Sequence, residues 1–357
     1  MKILYLGDDD PRSTSAHRQA ALQRLGHQTL PINPHRLIPR GLLLARLNVR
    51  TGFRLFSRRI DRNLRRILGG AEWDLVWVDS CAELPPATWR WLGSRGKPLI
   101  SYVLDNPFVP RDHRKWDLYK KSLPLHDLTV FSRKESVLHA RRHGAKKPVA
   151  HFMGYDPVAH HPERAGEVSP GSGGLVFVGT WMPERGSLMV RLAEAGLPLR
   201  IYGNDWPRAR EWKKLQPFHG GPSIYGADYV RVIREARIAL GLLSKGNRDL
   251  HTTRSMEIPY IGGAVFCSER TEDHQKLYRE GQEALFWKDA EECVRVCREW
   301  IDRPAQCRAM AASAKIRVES CGFSNEQILA GILRLQAGEL FSRDGCPLEL
   351  ETSPVPG

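Results

Sequence analysis

The stretch "LHTTRSMEIPYIGGAVFCSE", residues 250–269, reads as a short helix that starts on threonines, ends at a glycine pair and runs into a buried strand. Its helix carries Arg254 and Glu257 at i and i+3 on the inner or edge face. The alternation it belongs to continues in both directions. Near-continuous apolar runs at 174–180, 198–203, 236–244, 263–268 and 283–289 alternate with helical patterns at 185–196, 226–236, 251–260, 271–280, 290–302 and 304–320. Unbroken apolar strands between helices are the mark of a parallel sheet covered on both faces.

The first half repeats the plan, with strands expected at 2–7, 74–80, 98–105, 127–132 and 148–153 and a capped helix at 14–26. The fold class expected is therefore α/β: two tandem Rossmann-like, doubly wound parallel sheets facing a cleft. The passage "GYDPVAHHPERAGEVSPGSGG" is rich in Gly, Pro and Ser and suits a linker. The expected divisions are an N-terminal domain over 1–165, a C-terminal domain over 173–325, a helix over 326–342 returning toward the first domain, and a loose tail over 343–357.

A chain of 357 residues fits two such domains. No apolar run approaches the roughly 18 residues of a membrane span, and the start "MKILYLGDDD" lacks the pattern of a secretory signal, so a cytoplasmic protein is expected. Seven scattered cysteines form no disulfide framework, and Cys293 and Cys297, one helical turn apart, lack the further ligands of a metal site. A net charge of +14 points to an anionic partner: nucleic acid, acidic lipid or a phosphorylated substrate. Neither GxGxxG nor GxxxxGK[ST] occurs at a suitable place, which argues against nicotinamide enzymes and Walker-type ATPases.

Two loops of the second half stand out. In "FVGTWMPERGSLMVRLAEAG", residues 177–196, a buried strand ends at Gly179 and a helix opens beside Arg185. Its amides and arginine could hold a diphosphate; the plain alternative is a strand-to-helix turn with a solvated arginine. The polar turn before His251, Thr252 and Thr253 is a second anion site by the same reasoning. Glu257, a turn and a half into the helix, could accept both hydroxyls of a ribose, or else form only a surface pair with Arg254.

The ordered pieces "FVGTWMPERG", "YGNDW", "YGADYVRVIREARIALGLLS", "RSMEIPYIGGAVFCSE", "YREGQEALFWKDAEECVRVCREWI" and "DRPAQCRAMAASAKIRVES" resemble the donor domain of GT-B glycosyltransferases. They are most similar to the CgeB-like, spore-maturation-type group. The likeness covers 174–325 well and the first domain in outline, where "GYDPVAHHP" resembles the passage between the domains. It implies that Glu257 binds ribose, with Arg254 beside it. It further implies that Gly179, Thr180, Arg185, Asn247, His251, Thr252 and Thr253 lie near the diphosphate, and Tyr202, Gly203, Asn204 and Asp205 near the base. Asp249 stands eight residues before Glu257, where fuller retaining patterns carry an acid, without the flanking context. The implied co-substrate is a nucleotide sugar, UDP before GDP, with no cofactor or metal required.

In the first domain, "YVLDNP" ends a strand at Asp105, a candidate general base for an acceptor hydroxyl or else a turn cap. "GDDDPRSTS" follows another strand and offers Asp8, Asp9, Asp10 and Ser13 as an acceptor-side loop. Residues 36–68 carry ten arginines against one acid, Asp61, with Phe53, Phe56, Ile60, Leu64 and Ile67 at steps of three and four. That pattern suits either a helix on an anionic membrane surface, over 41–68, or a solvated helix packed on its own domain. The acceptor class expected is a glycan, lipid-linked or protein hydroxyl, with the enzyme peripheral on the inner face of the membrane. A nucleotide-sugar epimerase, a nucleic-acid-binding protein and an enzyme that glycosylates DNA are the alternatives. If Glu257 holds ribose, its loss weakens nucleotide binding ten- to a hundredfold, as a charge-assisted contact should, with little change in melting temperature.

Overall fold

The computed structural model describes residues 1–38 and 41–339, which leaves the expected tail over 343–357 outside the described residues. Its described residues divide into two units: 1–152 together with 325–339, and Met153–Ser324.

The first unit holds β1 (Lys2–Leu6), β2 (Gln28–Ile32), β3 (Leu75–Asp79), β4 (Leu99–Val103), β5 (Leu128–Phe131) and β6 (Pro148–Ala150). All pair in parallel, in the order β2-β1-β3-β4-β5-β6. Its helices are α1 (Thr14–Arg24), α2 (Leu42–Arg50), α3 (Ser57–Leu68), α4 (Pro86–Gly93), α5 (Asp117–Ser122) and α6 (Lys134–Arg142). The strand order reverses between β1 and β3, which leaves a crevice at their C-terminal ends.

The second unit holds β7 (Leu175–Val178), β8 (Leu199–Tyr202), β9 (His219–Gly221), β10 (Ile238–Leu240), β11 (Val265–Glu269) and β12 (Leu285–Trp287). Their order, β12-β11-β10-β7-β8-β9, is the dinucleotide-fold order, with its reversal between β7 and β10. Its helices are α7 (Pro183–Glu194), α8 (Trp212–Leu215), α9 (Gly226–Glu235), α10 (Arg254–Ile261), α11 (Glu272–Leu277), α12 (Ala290–Ile301) and α13 (Pro304–Ser320). A last helix, α14 (Asn325–Gln336), belongs to the first unit, where Ile328, Leu329, Ile332 and Leu335 join the core beside Ile3, Trp77 and Ile100.

Three expectations change. The first unit ends at residue 152 and not near 160–173, because Tyr155 bridges to Ser324 and stacks on Tyr260 at 4.0 Å, which ties that segment into the second unit. Two strands, β2 and β9, lie outside the expected runs; each is a sheet edge, half exposed, so neither needs an unbroken apolar sequence. Most of the apolar stripe faces inward: Phe53 ahead of α3 and Ile60 and Leu64 within it are buried in the first unit's own core, while Ile67 is exposed. It is not the membrane-facing surface that its spacing allows.

One ion pair fastens α1 to the first sheet. Asp79, at the end of β3, accepts from Arg18 Nε at 2.7 Å and Nη2 at 2.8 Å, and from the Tyr5 hydroxyl at 2.8 Å. Arg18 also lies over the Tyr102 ring at 4.6 Å. Both charges are buried, so each depends on the other for the solvation it gave up on folding. Replacing Asp79 by alanine strands the guanidinium, and we expect chemical denaturation to report a loss of about 3 to 5 kcal/mol.

Candidate active site

The second unit's crevice is framed by the loops that follow β7 and β10. Pro183 opens α7 at a position where no amide donor is lost, and this brings Arg185 into the first turn. Its guanidinium donates to Thr180 O at 2.7 Å, in the loop after β7, and to Leu242 O at 3.2 Å, in the loop after β10. The arginine thus spans the strand reversal. It is buried, it has no ion-pair partner among the described residues, and its Nε has no hydrogen-bond partner. Burial lowers its pKa from the ordinary value, against the pull of Glu184, Glu269 and Asp249 nearby. A buried cation hydrogen-bonded to neutral carbonyls, laid over the Phe177 ring and without an ion-pair partner among the described residues leaves an attractive field for an anion. Buried polar atoms of Trp181 (Nε1) and Thr252 (Oγ1) likewise lack hydrogen-bond partners.

Residues after β8 brace this loop. Gly179 donates to Tyr202 O at 2.8 Å, and Trp181 donates to Asn204 O at 2.9 Å. Gly203 has φ 154°, and a Cβ there would lie 2.0 Å from Gly179 O, so the two loops meet only through glycine. Asp205 is more exposed and pairs with Arg208 at 3.3 Å. Tyr202, Gly203, Asn204 and Asp205 are therefore brought beside Gly179 and Thr180.

After β10, Asp249 accepts from Ser244 N at 3.2 Å and closes the turn that carries the buried Asn247. His251 uses both ring nitrogens within the protein: Nε2 accepts from Met153 N at 3.1 Å, and Nδ1 lies 2.7 Å from Asp273 Oδ2. It fixes the loop, and its ring nitrogens face protein groups. Thr252 and Thr253 then lead into α10, which ends where Gly262 takes φ 70° and Gly263 φ 91°.

Glu257 is not half of a surface pair. Its side chain is 2 % exposed. Oε2 accepts from Tyr229 at 3.1 Å and from Arg254 Nη1, while His160 Nε2 lies 3.6 Å from Oε1. His160 Nδ1 accepts from Asp156 N at 3.0 Å, which turns its Nε2–H toward the carboxylate. Arg254 lies 4.4 Å over the Tyr229 ring. Burial pushes the Glu257 carboxyl up, but Arg254, His160 and the hydrogen bonds outweigh it and hold the pKa at about 2. His160 and Tyr229 belong to this site, yet nothing in the sequence around Glu257 signals them, since they come from distant segments.

In the first unit, Asp8, Asp9, Asp10 and Ser13 follow β1 at the other strand reversal. Asn33 Nδ2 donates to Asp9 at 2.8 Å, Arg36 pairs with Asp9 at 2.9 Å, and Asp10 pairs with Arg12 at 2.6 Å. Ser13 accepts from Ala16 N at 3.1 Å and caps α1. Asp105 follows β4, about a third exposed, with Lys115 at 3.4 Å and Arg111 at 3.7 Å.

Residues 185–334 match the family described as "Glycosyl transferase-like". That part of the chain is similar to a glycosyltransferase family, and the chain has the GT-B fold. Trehalose 6-phosphate synthase of Burkholderia multivorans superposes with a TM-score of 0.64 at 15% identity, over 95% of this chain and 99% of that one. Sucrose-phosphate synthase of Thermosynechococcus elongatus gives 0.65 at 12%, over 95% and 99%. Anabaena HepE, solved with UDP and glucose, gives 0.61 at 13%, over 94% and 100%. No curated protein sequence matches the chain. At these identities the solved structures establish the fold alone, and the family match covers less than half of the chain.

The Glu257 network also sets a pH dependence. A carboxyl with a depressed folded pKa stabilises the fold above its ordinary value of 4.5, and that contribution disappears as pH falls toward about 2. Acid titration of wild type and Glu257→Gln, followed by circular dichroism, should therefore give a shallower loss of stability in the variant across that window. Glu257→Ala should also lower the melting temperature, contrary to the expectation for an exposed residue, because it leaves Arg254 and His160 facing an empty buried site.

Proposed function

We propose that this protein is a glycosyltransferase that moves a sugar from a nucleoside diphosphate sugar, UDP before GDP, to an acceptor hydroxyl held by the first unit. The cell-envelope or surface glycans of a CgeB-like enzyme are the proposed setting. The observation that carries the donor reading is Arg185, a buried, unpaired cation spanning the loops after β7 and β10. A diphosphate at that crevice would satisfy its Nε and gain a charge-assisted bond, and the same contact would stabilise the departing diphosphate as charge develops on it. Thr180, Asn247, Thr252 and Thr253, with the loop at Gly179, are proposed to line the diphosphate, and Tyr202, Gly203, Asn204 and Asp205 the base. Ribose hydroxyls would compete with Arg254 for Glu257; Arg254, so released, supplies a second cation. The preference for UDP rests on Anabaena HepE, which was solved with UDP-glucose and with UDP.

Calorimetry with UDP and GDP tests this reading. Wild type should bind one of them, and Arg185→Gln should weaken that binding about ten- to a hundredfold, the worth of one charge-assisted bond. Equal binding by both proteins would remove Arg185 from the donor site, and no binding by wild type would end the donor reading.

The same proposal puts the enzyme in the cytoplasm, peripheral on an anionic membrane face, with a glycan, lipid-linked or protein acceptor. What supports it is the exposed part of residues 41–68. Leu44, Leu47, Val49, Leu55 and Ile67 are exposed, and Arg50, Arg58, Arg59, Arg62 and Arg66 carry no ion-pair partner among the described residues. Apolar side chains interleaved with free arginines suit an acidic lipid surface. Among the described residues no helix is long and apolar enough to cross a membrane. Co-sedimentation should show binding to phosphatidylglycerol vesicles but not to phosphatidylcholine alone, weakened by salt and by Leu47→Asp with Leu55→Asp. Preference for duplex DNA over those vesicles would sink it.

A further inference from the structure

The loops that lead into β1, β3 and β4 enclose a cavity of about 630 Å³ that no reading above uses. It lies at the N-terminal ends of these parallel strands, a full strand length from the crevice at the strand reversal. Its lining includes Lys2, Glu72, Trp73, Asp74, Arg95 and Lys97. Asp74 N donates to Lys2 O at 2.8 Å and Lys2 N donates to Asp74 Oδ2 at 2.7 Å, which ties the start of β1 to the start of β3. On the way into β4, Gly96 takes φ 68° and turns the chain sharply between Arg95 and Lys97, so that both reach the cavity. Trp73 is 4 % exposed, edge-on to Trp91 at 6.4 Å, with the Arg95 guanidinium 5.5 Å from the centre of its ring.

The charges around this space do not answer one another. Lys2, Arg95 and Lys97 bring three cations and Glu72 and Asp74 two acids, yet no ion pair joins any of the five to another side chain among the described residues. Exposed charges gain little by closing on each other, so these stay available to a guest. The indole N–H of Trp73 is buried without a hydrogen-bond partner, a cost that an oxygen atom of the guest would offset.

The lining also selects the guest. Cations outnumber acids, and Asp74 already accepts from a backbone amide, so the surplus field is positive and favours an anion. The two carboxylates can only accept hydrogen bonds, so the rest of the guest must carry donors such as hydroxyls. A free phosphate would fill a small part of about 630 Å³, and an uncharged sugar would leave the cations unanswered. We propose that this cavity binds a sugar phosphate, with the phosphate held by Arg95 and Lys97, the hydroxyls by Glu72 and Asp74, and one oxygen by the Trp73 indole. The site belongs wholly to the first unit and does not depend on the donor reading.

Calorimetry with glucose 6-phosphate, inorganic phosphate and glucose as separate probes tests it. Wild type should bind glucose 6-phosphate at least about tenfold more tightly than either of the other two. The double variant Arg95→Gln with Lys97→Gln changes two exposed side chains and should weaken that binding about ten- to a hundredfold. Trp73→Phe keeps the ring and removes the N–H, and should weaken it about fivefold. No binding of glucose 6-phosphate by wild type overturns the site. Undiminished binding by the double variant does so too, because it places the ligand elsewhere on the chain. Inorganic phosphate bound as tightly as glucose 6-phosphate overturns the sugar assignment, and equal binding by Trp73→Phe overturns the indole contact.

Discussion

A parallel sheet whose strand order reverses cannot cover the C-terminal ends of the two strands at the reversal, because the connecting loops run away from each other there. Both sheets of this chain obey that constraint, between β1 and β3 and between β7 and β10. The chemistry of the molecule collects at these two places. At the second, Arg185 fastens one loop to the other through carbonyls, and its charge is left without a counter-charge. At the first, Glu83 is left without a hydrogen-bond partner.

Other buried charges are fully answered, and the contrast gives the two crevices their meaning. Asp79 takes two bonds from Arg18 and one from Tyr5, so it serves as a strut. Glu257 meets Arg254, Tyr229 and His160 and couples α9, α10 and the segment at His160. That network is complete without ligand, so any exchange of Arg254 for ribose hydroxyls trades one set of polar contacts for another. The specificity of such a site rests on how nearly the trade balances.

The layered α/β plan was legible because buried parallel strands must be apolar throughout, and the interior strands β3, β4, β10 and β11 carry that signature. Edge strands escape it: β2 includes Pro31 and β9 is mostly glycine. The loops after β7 and β10 could be picked out by their glycines, arginines and helix starts, which act over a few residues. The partners of Glu257 could not, since those contacts are made by tertiary packing between separate elements. The amphipathic spacing of α3 was read correctly as a stripe, but spacing alone does not say whether core or membrane covers it, and here the core does.

The central claim is that the crevice between β7 and β10 holds a nucleoside diphosphate through Arg185. A crystal structure of the protein grown with UDP tests it most directly. The account predicts diphosphate oxygens within about 3.2 Å of the Arg185 guanidinium, between the loops at Thr180 and Leu242. UDP bound elsewhere on the chain, with Arg185 still facing only carbonyls, would contradict it.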